Sequence, residues 1–467
     1  MFKKLIIAAL VLTICLNLSG CSQFNDSDAL LRPPNFSGEY TAIYNALESS
    51  VQQGDKISLH SPQSGEYRSS IILQNYNDNL KQAIAFYESG VQKTLSGTGL
   101  RMGVFSELNG NWTCNWDLPC DGEKVDKVMF LKDESNIYNY MIVGYSSEKQ
   151  TQKNYCIYNF NIDNFHMLYA GEYQAMEVCD INEDGINELI TIGHYEKETN
   201  NSKNYTVTDK TKNSHYITSA VINSISNDHI TLWGETQMSG NILNYTNISF
   251  DHNSFGKPTL FIDEQITKTT YGTEVLIYEN NSLKNIILEN NMIDQTIRYQ
   301  VPISYDINKN GIIEIPHTKL FPGYDQNSAS PIYITNWRKF QNGKLVDDIT
   351  TYVNYSQGFG ITLPKQWEGK VSAKNLYQND EIEFFVYHDS LENDKEKLLR
   401  LRIDSQNNKN NIPFNYFVVR TDGPILYLAN LSTVNPLTDP TLSISPDQVK
   451  NQFFTMYINS NINSKDK

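Results

Sequence analysis

The chain has 467 residues, with 53 Asp and Glu against 38 Lys and Arg and a formal net charge of −15. No stripe of clustered Lys and Arg occurs, so nucleic acid is excluded as a partner, because phosphate binding needs such clusters. Six cysteines at this length are too few for a disulfide scaffold.

The first twenty residues have the layout of a secretory signal: Lys3 and Lys4, an apolar run from Leu5 to Leu16, then small residues. That run is too short for a retained membrane-spanning helix, and polar Asn17 follows it. The box Leu18-Ser19-Gly20-Cys21 resembles the bacterial lipobox, which implies cleavage before Cys21 and a diacylglyceryl group on its thiol. The alternative is an ordinary secretion signal with a chance cysteine. Two acyl chains, at about 0.8 kcal/mol per buried CH₂, anchor stably where one does not. The expected address is the outer face of the cell membrane. Removing residues 1–20 takes two lysines and no acid, so −15 becomes −15 − 2 = −17.

Residues 21–55 read as a tether followed by a packing helix. Pro33-Pro34 precedes a capping Ser37, Glu39 lies in the first turn, and Tyr40, Ile43, Tyr44, Leu47 and Val51 recur at helical spacing up to Gly54. From 56 to 330 the text changes to short runs of Val, Ile, Tyr and Phe separated by Asn, Asp, Gly and Ser, the signature of many strands and tight turns. Hairpins are expected around Asn109-Gly110, Asp163-Asn164 and Asn280-Asn281.

Within this region a nine-residue loop recurs between apolar strands. Its best copy is Asp180-Ile181-Asn182-Glu183-Asp184-Gly185-Ile186-Asn187-Glu188, and the second is Asp306-Ile307-Asn308-Lys309-Asn310-Gly311-Ile312-Ile313-Glu314. A partial copy keeps Asp251, Asn253 and Gly256, with Thr259 in the last place. Two further copies, Gln74 to Gln82 and Lys132 to Tyr140, keep the flanking strands without the loop chemistry. The starts at 74, 132, 180, 251 and 306 lie 58, 48, 71 and 55 residues apart, room for a four-stranded unit each. The widest interval holds a polar insertion, Glu196 to Ser214.

Residues 331–460 read as a small α+β domain. It has a hairpin around Asn342-Gly343, strands near 383–387, 398–403, 416–420 and 425–428, and a final helix capped at Ser445-Pro446-Asp447-Gln448. Val449, Phe453, Met456 and Tyr457 fall on one face of that helix. Residues 461–467 read as a disordered tail. The expected fold is thus mainly β: a propeller of five to seven blades followed by this smaller domain.

The Asp-x-Asn-x-Asp-Gly-x-x-Glu loop resembles the FG-GAP or VCBS repeat, as in the integrin α-subunit propeller. Nearly the whole chain resembles a family of surface lipoproteins from low-GC Gram-positive anaerobes, a likeness that implies a fold and an address and no activity. The repeat implies calcium held by loop positions one, three, five and nine and the seventh carbonyl. Here these are Asp180, Asn182, Asp184, Glu188 and the carbonyl of Ile186 as first choice. The second choice is Asp306, Asn308, Asn310, Glu314 and the carbonyl of Ile312, where Asn310 stands in place of an acid.

Read from the residues alone, such a loop offers the oxygen atoms that calcium prefers. Gly185 permits the reversal that brings position nine back. The competing reading is an Asx-rich turn closed by its own hydrogen bonds, and it is the preferred one at Asp251, Asn253 and Thr259. Cys114 and Cys120 have two readings as well, a disulfide or two reduced thiols. Trp112 and Trp116 offer a platform for sugar or peptide, with plain packing as the commoner outcome.

No Gly-x-Ser-x-Gly, His-Glu-x-x-His, phosphate loop or Cys-x-x-Cys occurs. The leading functional reading is a non-catalytic, membrane-anchored extracellular lipoprotein that uses a calcium-braced propeller to bind a protein or glycan. The alternatives are a propeller glycoside hydrolase acting on wall or host polysaccharide and a transporter substrate-binding lipoprotein. Scarce helices count against the last.

Overall fold

The computed structural model describes residues 38–456 except 52–55, 78–79, 90–98, 133–137, 148–151, 197–215, 241, 255, 300–302, 342, 377–379, 393–394 and 433–438. The signal segment 1–20, Cys21, Pro33-Pro34, Ser37, the polar insertion after Glu196, Tyr457 and the tail 461–467 lie outside the described residues. The described residues form two compact units. One takes the residues up to Val128 with Val143–Ser147 and Asn161–Phe165, and the other takes Met129–Ile142, Glu148–Phe160 and the residues from His166.

The first unit opens with the expected helix, α1 (Gly38–Ser50). Ile43 and Leu47, one turn apart, are its buried residues. They pack on Ile71, Ala83, Ala85, Tyr87 and Phe105 of a sheet built from β1 (Ile57–His60), β2 (Ile71–Asn77), β3 (Leu80–Ser89), β4 (Leu100–Leu108) and β5 (Asn111–Pro119). The order is β1-β3-β4-β5, with β2 also on β3. Asn109 and Gly110 take φ of 53° and 81° between β4 and β5, the left-handed pair that a two-residue hairpin wants.

Gln74 and Gln82, the ends of a copy expected to keep its strands without the loop chemistry, pair with each other in the β2–β3 hairpin. Cys114 and Cys120 are both free. They do not flank a turn, because residues 111–119 are one continuous strand. Six residues of extended chain span roughly 20 Å, far beyond the Cα separation a disulfide allows. The Cys114 thiol instead donates to the Trp116 carbonyl at 3.4 Å.

Further along the chain, five more antiparallel sheets follow one another. The second sheet runs β6 (Lys124–Lys132), β7 (Tyr138–Ser146), β8 (Lys153–Asn159), β9 (His166–Tyr173). The third runs β10 (Ala175–Cys179), β11 (Glu188–Glu196), β12 (Tyr216–Ser226), β13 (His229–Gln237), and the fourth β14 (Asn244–His252), β15 (Pro258–Gln265), β16 (Tyr271–Glu279), β17 (Ser282–Asn285). In each of these, strands adjacent in sequence are adjacent in the sheet. A short helix, α2 (Ile286–Glu289), follows β17.

The fifth sheet orders β18 (Ile315–Leu320), β19 (Tyr333–Gln341), β20 (Lys344–Asn354), β21 (Phe359–Thr362) and finally β27 (Phe453–Thr455). In the sixth, β22 (Val371–Leu376), β23 (Glu381–Val386) and β24 (Lys397–Ser405) continue to β26 (Ile425–Leu431) and end on β25 (Tyr416–Asp422). The boundary expected between 330 and 331 falls inside the fifth sheet, where β18 pairs with β19. The helix α3 (Pro446–Gln452) has the expected capping box and Pro at N1, but it stops at Gln452. Phe453 therefore leaves the helix face assigned to it and starts β27, where it pairs with Ile361. An extended strand closing the fifth sheet outcompetes one more helical turn.

Within the second unit the sheets pack face to face in series. In β11, Leu189 joins a core with Met129, Ile142, Tyr155 and Tyr173 of the second sheet. Its neighbours Ile190 and Ile192 turn to Leu260, Ile262 and Leu276 of the fourth. Alternate β15 and β16 residues, Phe261, Val275 and Ile277, face Ile313 and Ile315. Fifth and sixth sheets share a core around Phe321, Tyr352, Phe359, Phe384 and Tyr427. Burial on both faces explains why these strands read as continuous apolar runs.

Gly360 shows how tightly this core closes. A Cβ there would lie 2.4 Å from Phe454 Cζ and 2.8 Å from the Tyr352 carbonyl oxygen. Gly360→Ala is expected to destabilise by about 1–3 kcal/mol, read as a lower urea midpoint. A midpoint within error of wild type would contradict the packing described.

Candidate functional site

The two nine-residue loops each lead into a strand. The first joins β10 to β11, and Cys179 pairs with Glu188 across it. The second precedes β18, and Tyr305 pairs with Glu314. Each loop is pinned at the ninth position by an acid, Glu188 as the first residue of β11 and Glu314 directly before β18.

Their internal bonding matches position by position. In the first loop, Asp180 accepts from the Asp184 and Gly185 amides at 3.1 and 2.8 Å, Asn182 from the Asp184 amide at 3.1 Å, and Asp184 from the Ile186 amide at 2.8 Å. In the second, Asp306 accepts from the Asn310 and Gly311 amides at 3.0 and 2.8 Å, Asn308 from the Asn310 amide at 3.0 Å, and Asn310 from the Ile312 amide at 2.9 Å. Left-handed residues stand at positions four and six in both: Glu183 (62°) and Gly185 (89°), Lys309 (61°) and Gly311 (80°). Both glycines have open space around a notional Cβ, so the backbone angle alone selects them.

The ninth residue is the unusual one. Glu188 and Glu314 are fully buried, 0% exposed. Each accepts from the amide of loop position two, Ile181 or Ile307, at 3.2 Å. Oε1 of Glu188 has no hydrogen-bond donor, while Oε1 of Glu314 accepts from Asn308 Nδ2 at 3.2 Å. Burial pushes the Glu188 carboxyl up to about 8, and the charges of Asp184 and Asp180 add to it against the opposing Ile181 amide. Burial likewise pushes Glu314 up to about 7, with Asp348 and Asp306 adding. A buried carboxylate lacking a full set of donors is costly, which makes these two positions the chemical focus of the loops.

Among the described residues, no group of three or more His, Cys, Asp or Glu side chains is placed to hold a metal ion. The side-chain oxygens at loop positions one, three, five and nine are of mixed kind, carboxylate and amide, and all but Glu188 Oε1 accept one N–H as they stand. An oxygen accepting one hydrogen bond keeps a second lone pair.

Asp348 is the residue that sequence reasoning missed. It lies in β20, and its carboxylate meets Asn308 Nδ2 at 3.1 Å and Lys339 Nζ at 2.6 Å. It brings an acid beside the second loop from another strand. No local spacing signals it, because only strand pairing carries it to the loop. In the third copy, Asn253 closes on Lys257, backbone to backbone at 2.9 Å, and Thr259 Oγ1 donates to the Lys257 carbonyl at 3.0 Å.

The tryptophans of the supposed platform are packing residues. Trp112 lies against the α1 core, and Trp116 packs at 6.2 Å from Phe165. Trp337 and Trp367 are buried, with their Nε1–H donated to Thr351 and to the Leu442 carbonyl. Glu264 and Glu274, neighbouring acids on β15 and β16, are both fully buried. Burial, then the charge of Glu274, holds Glu264 well above the ordinary carboxylate range. Neither reaches solvent, so they form no substrate-facing acid pair.

No family model matches the chain, and no curated protein matches it. Among solved structures, a Bacillus licheniformis rhamnogalacturonan lyase is 9% identical at a TM-score of 0.29, covering 70% of this chain and 74% of its own. A chain from the S. cerevisiae complex of a Dbp5 variant bound to Nup159, a Gle1 variant, IP6 and ADP is 8% identical at 0.26, covering 71% and 88%. Scores this low transfer neither fold nor activity.

Proposed function

We propose that this protein is a non-catalytic lipoprotein anchored through Cys21 to the outer face of the membrane, whose sheets are the blades of a β-propeller braced by calcium and presenting loops to an extracellular protein or glycan. Support for the propeller comes from the four-stranded up-and-down sheets and their serial face-to-face packing. The lipobox-like Leu18-Ser19-Gly20-Cys21 supports the address.

One observation carries the calcium reading: two loops from different repeats share one bonding pattern and each buries the glutamate at position nine, in one case with a carboxylate oxygen left without a donor. Asp180, Asn182, Asp184, Glu188 and the Ile186 carbonyl would hold the ion at the first loop. Asp306, Asn308, Asn310, Glu314 and the Ile312 carbonyl would hold it at the second. A divalent cation, when bound, supplies the positive charge that lets the buried acids ionise. The chain's own part is to hold positions one and three by amide hydrogen bonds and to reverse direction at the glycine.

Elemental analysis of the purified protein is expected to find one or two calcium ions, and EDTA is expected to lower its melting temperature. Absence of calcium together with an unchanged melt would overturn the reading.

A further inference from the structure

Between the first loop and the hairpin tip of the fourth sheet lies an open groove of about 730 Å³, a size typical of small-molecule sites. Trp233 of β13 and Tyr278 of β16 line it as a stacked pair, ring centroids 6.5 Å apart and planes 22° from parallel. Both rings are half-buried, and the neighbouring Leu232 is 42% exposed. Gly234 lets this pair form, since a Cβ there would meet Leu283 at 3.1 Å and Tyr278 at 3.6 Å.

The polar lining combines three carboxamides with three charged side chains. Asn182 comes from the loop, and Asn280 and Asn281 from the β16–β17 turn, where both take left-handed φ of 52° and 57°. Of the charged lining side chains, Glu279 pairs with Lys257, and Glu183 Oε1 lies 3.1 Å from His252 Nε2. A groove with its lysine engaged, an aromatic and aliphatic floor and amide edges suits a ligand that is neutral, has flat C–H faces and carries adjacent hydroxyls. An anionic ligand would find its one lining lysine engaged, on a chain of net charge −15.

We infer that this groove binds a neutral pyranose oligosaccharide, with sugar faces on Trp233 and Tyr278 and hydroxyls on Asn182, Asn280 and Asn281. The inference rests on the proposed role as a surface-binding protein and names its site and ligand class. Because Asn182 belongs both to the groove and to the loop, the groove lies against the position where calcium is proposed.

The test titrates the purified full chain, in a detergent without a sugar headgroup, with cellotetraose, chitotetraose and β-1,4-galactotetraose, followed by tryptophan fluorescence and calorimetry. At least one is expected to bind saturably with a Kd of about 1 mM or tighter. Trp233→Ala and Tyr278→Ala are each expected to weaken it about tenfold, while Phe414→Ala, at an exposed aromatic far along the chain, leaves it unchanged. Leu232→Asp, at an exposed position that tolerates the change in folding, is expected to abolish binding should either aromatic variant fail to fold. No binding by any of the three sugars, or binding that survives Trp233→Ala or Leu232→Asp in folded protein, overturns the inference. Sugar binding without calcium stabilisation would sink the loop reading alone, and calcium stabilisation without sugar binding would sink the groove alone.

Discussion

Asp263→Ala is expected to destabilise the second unit by about 3–5 kcal/mol, the usual cost of stranding one member of a buried ion pair. Asp263 and Arg298 are 0% and 1% exposed at the side chain, with Oδ1 to Nη2 at 2.9 Å. The same carboxylate also accepts from Thr273 Oγ1 (2.7 Å), from Ser304 Oγ (2.7 Å) and N (2.8 Å), and from Asn247 Nδ2 (3.3 Å). Removing it takes away the guanidinium's hydrogen-bonded countercharge in the interior and leaves four other donors short of that acceptor. Since whole domains are stable by roughly 5–15 kcal/mol, the variant should show a much lower urea midpoint and poor soluble yield. Adding Arg298→Met to it is expected to recover part of the loss, because the stranded guanidinium is then gone. A single variant within about 1 kcal/mol of wild type would show that the pair is not the anchor its geometry describes.

Calcium is expected to stabilise the protein more at pH 8 than at pH 5. Glu188 and Glu314 have native pKa values raised to about 8 and about 7 by burial, above the unfolded value near 4.5. Between those limits the native state holds protons that the unfolded chain has released, so metal-free stability falls as pH rises through that window. Glu264, raised by burial and by Glu274, acts in the same direction. Asp404 and Asp439 are lowered chiefly by side-chain hydrogen bonds from Asn408 and Thr441, and they act in the opposite direction below pH 4. A bound cation takes the place of the proton on the loop acids alone, so the difference between melts with and without calcium isolates them. At 100 times Kd the gain is about 2.7 kcal/mol, roughly 4 °C for a unit of this size. Glu188→Gln is expected to remove most of the first loop's share and its pH dependence. Equal calcium effects at both pH values would count against the buried glutamates as ligands.

What could be seen locally was what local chemistry decides. The Asn109-Gly110 turn, the capping box at Ser445, the helix at 38–50 and the two Asp-to-Glu loops each depend on residues within one turn or one hairpin. Backbone preference and side-chain capping specify these before any distant contact forms. The strand-rich text likewise announced a mainly β chain, because two-sided burial writes continuous apolar runs.

Only tertiary structure decided the rest, since partners distant in sequence choose among locally equal options. Phe453 continued a helical stripe, yet pairing with Ile361 drew it into a strand. Cys114 and Cys120 lie six residues apart and could have paired, yet pairing of 111–119 with β4 held them an extended strand apart. Asp348 reached the second loop through strand pairing, Asp263 met Arg298 between sheets, and Trp233 met Tyr278 across two of them. The amino-acid order by itself determined the turns, the loops and the strand-forming character of this protein. The fold determined which buried acids share a neighbourhood, because burial and low local polarity exist only after the sheets have packed.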